Sequence, residues 1–179
     1  MLAIEINGLT KEYRVGFWKT RIKRALNSLN LQAKSGEVFG LLGPSGAGKT
    51  TTLKILFRLV FPTSGTARIL SKELNDTTMH QRVGYLPEHS YFYDHLTPEE
   101  LLDYAGRLFG VGRNSLRRRV TQLLERVGLT EVQNIPLRRF SKGTVQRASI
   151  AQAFINDPGV VFLDEPMSVL DPNSQVPIG

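Results

Sequence analysis

Apolar positions fall into a few short continuous runs and a few stretches of helical spacing. Residues 37–42 (EVFGLL) form a compact apolar run that reads as a buried strand. Residues 50–60 (TTTLKILFRLV) place apolar side chains at 53, 55, 56, 59 and 60, close to the helical period. A glycine-rich loop lies between them, so the local order is strand, loop, helix. Val160, Val161, Phe162 and Leu163 form a second continuous run, as expected for a strand buried on both faces of a parallel sheet. Ahead of it, Val145, Ala148, Ile150, Ala151, Ala153, Phe154 and Ile155 suit a packed helix. Ser141 is its N-cap, and Pro158 stops it near Asn156. Thr97, Pro98 and Glu100 occupy the N-cap, N1 and N3 positions of a capping box that opens another helix. The alternation of strand and helix predicts an α/β chain with a mostly parallel sheet core.

The loop between the first strand and helix reads Gly43-Pro44-Ser45-Gly46-Ala47-Gly48-Lys49-Thr50, followed by Thr51. Gly43, Gly46 and Gly48 permit positive backbone dihedrals and a close approach of main chain to ligand. Amide N–H groups of such a loop converge into an anion-binding concavity. Lys49 supplies a point charge for the β and γ phosphates, and Thr50 a hydroxyl for Mg²⁺. The helix N-terminus adds its partial positive charge. An ordinary glycine turn lacks this full pattern in this context, so the expectation is a nucleoside triphosphate site.

The run 160–163 ends in Asp164 and Glu165, at the strand end where open α/β sheets bind ligands. Adjacent side chains on a strand point to opposite sides. Asp164 is therefore expected to hold Mg²⁺, directly or through water, and Glu165 to orient and polarise an attacking water. An Asp-Glu pair after a strand is also a common solvated turn; the phosphate loop upstream favours the catalytic reading.

Between these two sites stands FSKGT, with Ser141, Lys142, Gly143 and Thr144, then Val145, Gln146 and Arg147. Here the chain resembles the ATP-binding subunits of ABC transporters, whose signature is usually written LSGGQ and is followed by a Gln-Arg pair. The resemblance implies that Ser141, Gly143 and the helix N-terminus contact the γ-phosphate bound by a second subunit. Lys142 and Thr144 depart from the commonest form. The resemblance covers nearly the whole chain. It implies that Tyr13 stacks on adenine, although an aromatic in an early strand also serves as a core or surface residue. Gly84–Glu88 (GYLPE) stands where the family has a glutamine loop, with Glu88 in place of the glutamine. A glutamate keeps acceptors for Mg²⁺ or water but brings a charge and loses a donor. Ser168 to Asp171 matches the D-loop, where Asp171 would help join two subunits; an Asp-Pro turn is the plain alternative.

The family's fold, as the resemblance implies it, is a phosphate-loop ATPase. Its mostly parallel core carries an antiparallel β N-terminal part and a helical subdomain, here at about residues 90–140 of a single domain, 1–179. The family's switch histidine follows the catalytic glutamate at the end of a later strand. His80, His89 and His95 all precede the signature, so the last strands and that histidine are expected to be missing. With them gone, hydrolysis by the chain alone is expected to be negligible and ATP binding weak. The implied cofactors are ATP and Mg²⁺. The implied partners are a second ATP-binding subunit and an integral membrane permease, with no nucleic acid. The implied location is the cytoplasmic face of the membrane, and the pattern looks most like an exporter.

Composition narrows little further. The 179 residues suffice for a real core, and zero cysteines exclude disulfides and thiolate metal sites. No run approaches the roughly 20 apolar residues of a spanning helix. The net charge of +7 gathers at 19–24 (KTRIKR), 117–119 (RRR) and 138–139 (RR). Such clusters suit an anionic surface or are simply solvated. KTRIKR lies in a stretch from Val15 to Arg24 that reads as a small insertion before a strand. Tyr91, Phe92 and Tyr93 either face a membrane partner or pack a small core. The segment between Thr50 and Ser141 leaves no room for a long coiled-coil arm, which disfavours a soluble relative acting on DNA or ribosomes. A nucleotide-binding remnant that does not hydrolyse is the remaining alternative.

Overall fold

The computed structural model of the chain describes residues 1–16, 21–88 and 92–164. They form two compact units, one reaching to His80 and one starting at Gln81.

The first unit is built on a long antiparallel hairpin, β1 (Leu2–Val15) and β2 (Arg21–Lys34). It is extended by β3 (Ser64–Ile69) and the short β4 (Lys72–Glu73), in the order β2-β1-β3-β4. This is the antiparallel N-terminal part that the family resemblance implied. Its core holds Ile6, Leu9, Leu26, Ala33, Ala67 and Ile69, together with Ile55 and Leu56 of helix α1 (Lys49–Leu56). Arg21–Arg24 belong to β2 itself and pair with Val15–Glu12, so this part of the expected insertion is the outer end of the hairpin; residues 17–20 lie outside the described residues. A cross-strand ion pair, Arg24 to Glu12 at 2.7 Å, accompanies this register.

Two expectations for this unit are corrected. The run 37–42 is not a strand, and Val38 and Leu42 are exposed at 102% and 93%. A strand needs a neighbouring ladder to satisfy its amides and carbonyls, and among the described residues none pairs with this run. Helix α1 stops at Leu56 rather than near Val60 because Arg58 takes a left-handed φ of 56°. The Arg58 amide then donates to the Ile55 carbonyl (2.9 Å) and the Leu59 amide to the Lys54 carbonyl (2.9 Å), the paired bonds of a Schellman end.

The second unit combines a parallel pair, β5 (Val83–Leu86) with β6 (Val160–Leu163), and three helices, α2 (Pro98–Leu108), α3 (Arg113–Arg126) and α4 (Lys142–Ala153). The capping box is formed as expected: the Thr97 side chain accepts from the Glu100 amide while the Glu100 carboxylate accepts from the Thr97 amide. Leu101, Leu102 and Ala105 of α2 meet Leu116, Val120 and Leu124 of α3 and Ala148 and Ala151 of α4 in one apolar cluster. Phe92 packs against this cluster, whereas Tyr93 is exposed and rests against His95 and Tyr104.

Helix α4 closes at Ala153, short of the expected stop near Asn156: the Phe154 and Ile155 amides donate to the Ala151 (3.2 Å) and Gln152 (3.1 Å) carbonyls, which tightens the last turn, and Asp157 then takes a left-handed φ of 54° before Pro158. The Asn156 side-chain amide donates to the Gln81 (3.0 Å) and Val83 (3.1 Å) carbonyls, tying this turn to the start of β5. Strand β6 is parallel as expected but not buried on both faces. Phe162 is buried, Val160 and Val161 are half-buried, and Leu163 is 40% exposed, because only one face is covered among the described residues.

Candidate functional site: a glycine loop, two strand ends and a capped helix

The glycine loop lies exposed ahead of α1, and its shape follows from two residues. Gly46 and Gly48 both adopt left-handed φ, 82° and 91°. Gly48 is also the N-cap of α1, where a Cβ would come within 2.6 Å of the Ala25 carbonyl oxygen and of a Leu26 methyl. No other residue type fits there without displacing the helix start from β2. Gly43 differs from the expectation: its φ is not positive, and its smallness matters because a Cβ would stand 3.1 Å from that of Ala47.

With glycine at the cap, no side chain caps the start of α1. The first N–H groups of a helix have no intrahelical acceptor, so those of Lys49, Thr50 and Thr51 are left for a ligand. The Ala47 amide donates to the Pro44 carbonyl (3.1 Å), drawing the loop into a tight turn. The Lys49 ammonium donates to the Gly43 carbonyl (2.6 Å) and the Pro44 carbonyl (3.2 Å), spanning the loop's mouth. Ser45 is exposed on the same loop.

Of the three threonines that follow, Thr52 is buried and gives its hydroxyl to the Gly48 carbonyl (3.1 Å), while Thr50 is exposed. Thr52 therefore buttresses the loop from inside the helix, a role that its sequence position did not signal. Tyr13 lies half-buried on β1, opposite Lys23, with the Lys11 ammonium 5.0 Å from its ring centroid. An aromatic face that already attracts a cation is electron-rich.

In the second unit, parallel pairing of β5 with β6 brings two strand ends together. Tyr85 pairs with Phe162 and Leu86 with Leu163, and the Asp164 amide donates to the Leu86 carbonyl (2.9 Å). Asp164 and Glu88 thus follow the carboxyl ends of neighbouring strands, where α/β sheets place their ligands. Their convergence shows in the Tyr85 phenol, whose pKa is raised first by burial, then by the negative charge of Asp164 and of Glu88. Tyr85 was not singled out from the sequence, since the pairing that brings it near Asp164 joins positions far apart in the chain.

At the N-terminus of α4, the Ser141 hydroxyl accepts from the Thr144 amide (3.2 Å) and lies 2.9 Å from the Thr144 hydroxyl. Ser141 and Lys142 are exposed, Gly143 half-buried, and Gln146 buried beneath them. Thr144, a departure from the usual signature, thereby joins the serine it follows. Glu165, Asp171 and the rest of the Ser168–Asp171 segment lie outside the described residues. Among the described residues no group of three His, Cys, Asp or Glu side chains could hold a metal alone. A Mg²⁺ that keeps several waters and takes phosphate oxygens needs only one or two carboxylates, and Asp164 and Glu88, after neighbouring strand ends, are of the type that suits that ion.

A family model described as ABC transporter matches residues 26–168. The chain belongs to the ABC transporter family. This ABC chain is 49% identical over 171 residues to an uncharacterised ABC transporter ATP-binding protein of Synechocystis, covering 94% of its own length and 48% of that relative. It is 30% identical to a solved ATP-binding subunit of an ABC transporter, with a TM-score of 0.83 over 95% of this chain and 69% of the other. It is 29% identical to the ATP-binding cassette MJ0796, solved as a dimer in a post-hydrolysis state with ADP and phosphate, with a TM-score of 0.82 over 94% of this chain and 76% of that one. The chain spans about half the length of the curated relatives it matches.

Proposed function

We propose that the chain binds ATP at Gly43–Thr51 and works as the hydrolysing subunit of an ABC transporter, in a pair of such subunits coupled to a separate integral membrane permease. The observation that carries this reading is the loop itself: a left-handed glycine at an uncapped helix start, with the Lys49 ammonium held across the mouth. Lys49 exchanges its two carbonyl partners for β and γ phosphate oxygens as nucleotide enters. Tyr13 stacks on the base. Thr50, Asp164 and Glu88 hold Mg²⁺, which when bound neutralises charge on the transferring phosphoryl group. Glu165 orients the water. Ser141 and Gly143 meet the γ-phosphate held by a second subunit. The dimeric cassette with ADP and phosphate supports the pairing, and the relatives' description as transporter ATP-binding proteins supports the permease. The subunit lies on the cytoplasmic face of the membrane. Residues 1–179 act as one ATP-binding domain whose helical part, at about 90–140, includes α2 and α3.

The test is titration of a fluorescent ATP analogue. Removing one hydrogen-bonded charge costs about 1.5–3 kcal/mol, so Lys49→Ala is expected to weaken binding roughly ten- to a hundred-fold. Equal affinity in the variant would overturn the site. Hydrolysis is tested separately by phosphate release: steady release that stops in Glu165→Gln supports a hydrolysing subunit and overturns the expectation of negligible turnover by the chain alone, whereas negligible release in both meets that expectation.

A further inference from the structure

The nucleotide apparatus makes no use of the cavity on α3. This cavity, of about 370 Å³, is lined by Ser115, Arg118, Arg119, Gln122, Leu123, Arg126 and Asp157. The polar α3 residues among them recur at helical spacing and form one stripe, Leu123 is the one apolar lining residue, and Leu116, Val120 and Leu124 are buried away from it. Their charges are strongly unbalanced. Arg119 is paired, with one guanidinium nitrogen donating to the Asp157 carboxylate at 2.6 Å and a side chain only 26% exposed. Arg118 and Arg126 are exposed and have no ion-pair partner among the described residues. No residue three or four positions away from either is acidic, so α3 lacks the intrahelical pairs that would neutralise them. Two free guanidiniums and one anchored guanidinium thus face one concavity with two neutral hydrogen-bonding side chains.

We propose that this cavity is a second anion site, separate from the nucleotide loop, that takes a phosphate group. Arg119, fixed by Asp157, forms its rigid wall, and Arg118 and Arg126 close on the ligand. A planar guanidinium presents paired N–H donors that match phosphate oxygens in a fork, which favours phosphate over a spherical anion. The same chemistry is offered by a soluble phosphate and by a phospholipid headgroup.

Two arms separate the sources. Inorganic pyrophosphate is titrated calorimetrically into the full chain, and the chain is sedimented with phosphatidylcholine vesicles with or without phosphatidic acid. Each arm compares the unaltered chain, Lys49→Ala, the double variant Arg118→Ala/Arg126→Ala, and Arg113→Ala/Arg117→Ala, which removes equal charge from α3 outside the cavity. The expected result is binding retained in Lys49→Ala and in the Arg113/Arg117 variant but weakened at least about tenfold in the Arg118/Arg126 variant, as for loss of charge-assisted bonds. That pattern with pyrophosphate assigns a soluble ligand, and with phosphatidic acid only, a lipid headgroup. Should the alanine variant misfold by circular dichroism, Arg118→Lys/Arg126→Lys keeps the charge and loses the fork, and is expected to bind several-fold more weakly. Binding that vanishes in Lys49→Ala, falls equally in the Arg113/Arg117 variant, or is absent in both arms overturns the site.

Discussion

Tyr85 is the residue through which the two candidate metal carboxylates can be observed together. Its phenol is raised above the ordinary value near 10 by burial first, then by Asp164 and Glu88. A negative neighbour disfavours the phenolate, and so does removal from water. Asp164→Asn removes one charge and leaves the burial, so the phenol is expected to titrate at lower pH than in the unaltered chain while staying above the ordinary range. Phenolate absorbance followed against a Tyr85→Phe counterpart isolates this group from the other tyrosines. An unchanged midpoint would mean that Asp164 does not approach the ring, and with it the convergence of the β5 and β6 ends would fail. This residue was hard to single out beforehand, because the shift arises from a strand pairing between positions far apart in sequence. Lys49 and Gly48 were legible for the opposite reason: phosphate binding by a loop is local chemistry, carried by consecutive residues. Glycine's necessity at 43 was also legible, but its cause is a packing contact with Ala47 rather than a left-handed turn.

At the scale of elements, the strand that aims Glu88 is held by a glycine. A Cβ at Gly84 would stand 2.1 Å from the Ala153 carbonyl oxygen and 3.2 Å from Pro158 Cγ, so β5 rests directly against the end of α4. The Ala153 backbone on one side and the Pro158 ring on the other leave little to yield, and overpacking of this kind costs about 1–3 kcal/mol or more. Gly84→Ala is therefore expected to lower stability in urea by more than Thr97→Ala, where losing the capping box costs about 1 kcal/mol. The reverse order would show that β5 can slide away from α4 freely. The Thr97 and Ser141 caps were readable in advance since a cap is a matter of three or four neighbouring residues. Helix ends were less so. Arg58 ends its helix in a left-handed conformation that glycine would have announced and that arginine does not, and α4 closes through a tightened last turn at Phe154 and Ile155 that no residue type marks. The run 37–42 has the composition of a strand, yet strand formation depends on a partner that composition cannot name.

For the molecule as a whole, that run sets up a contest between charge and apolar exposure. Val38 and Leu42 are almost fully in solvent and Phe39 is 46% exposed, on a chain of net charge +7. Like charge keeps copies apart, and salt screens it within about 10 Å at 0.1 M ionic strength. Association through this run is therefore expected to grow as salt is raised, and Val38→Lys to suppress it, both followed by light scattering. The stability change decides whether the run is exposed in solution. A surface substitution shifts unfolding by about 0.5 kcal/mol or less, whereas removing a buried valine forfeits about 1.5–3 kcal/mol. Val38→Lys is expected at the small end, with affinity for the fluorescent ATP analogue unchanged. A loss at the large end, with no change in scattering, would mean that the run is covered in solution and that the loop it leads into is anchored on both sides.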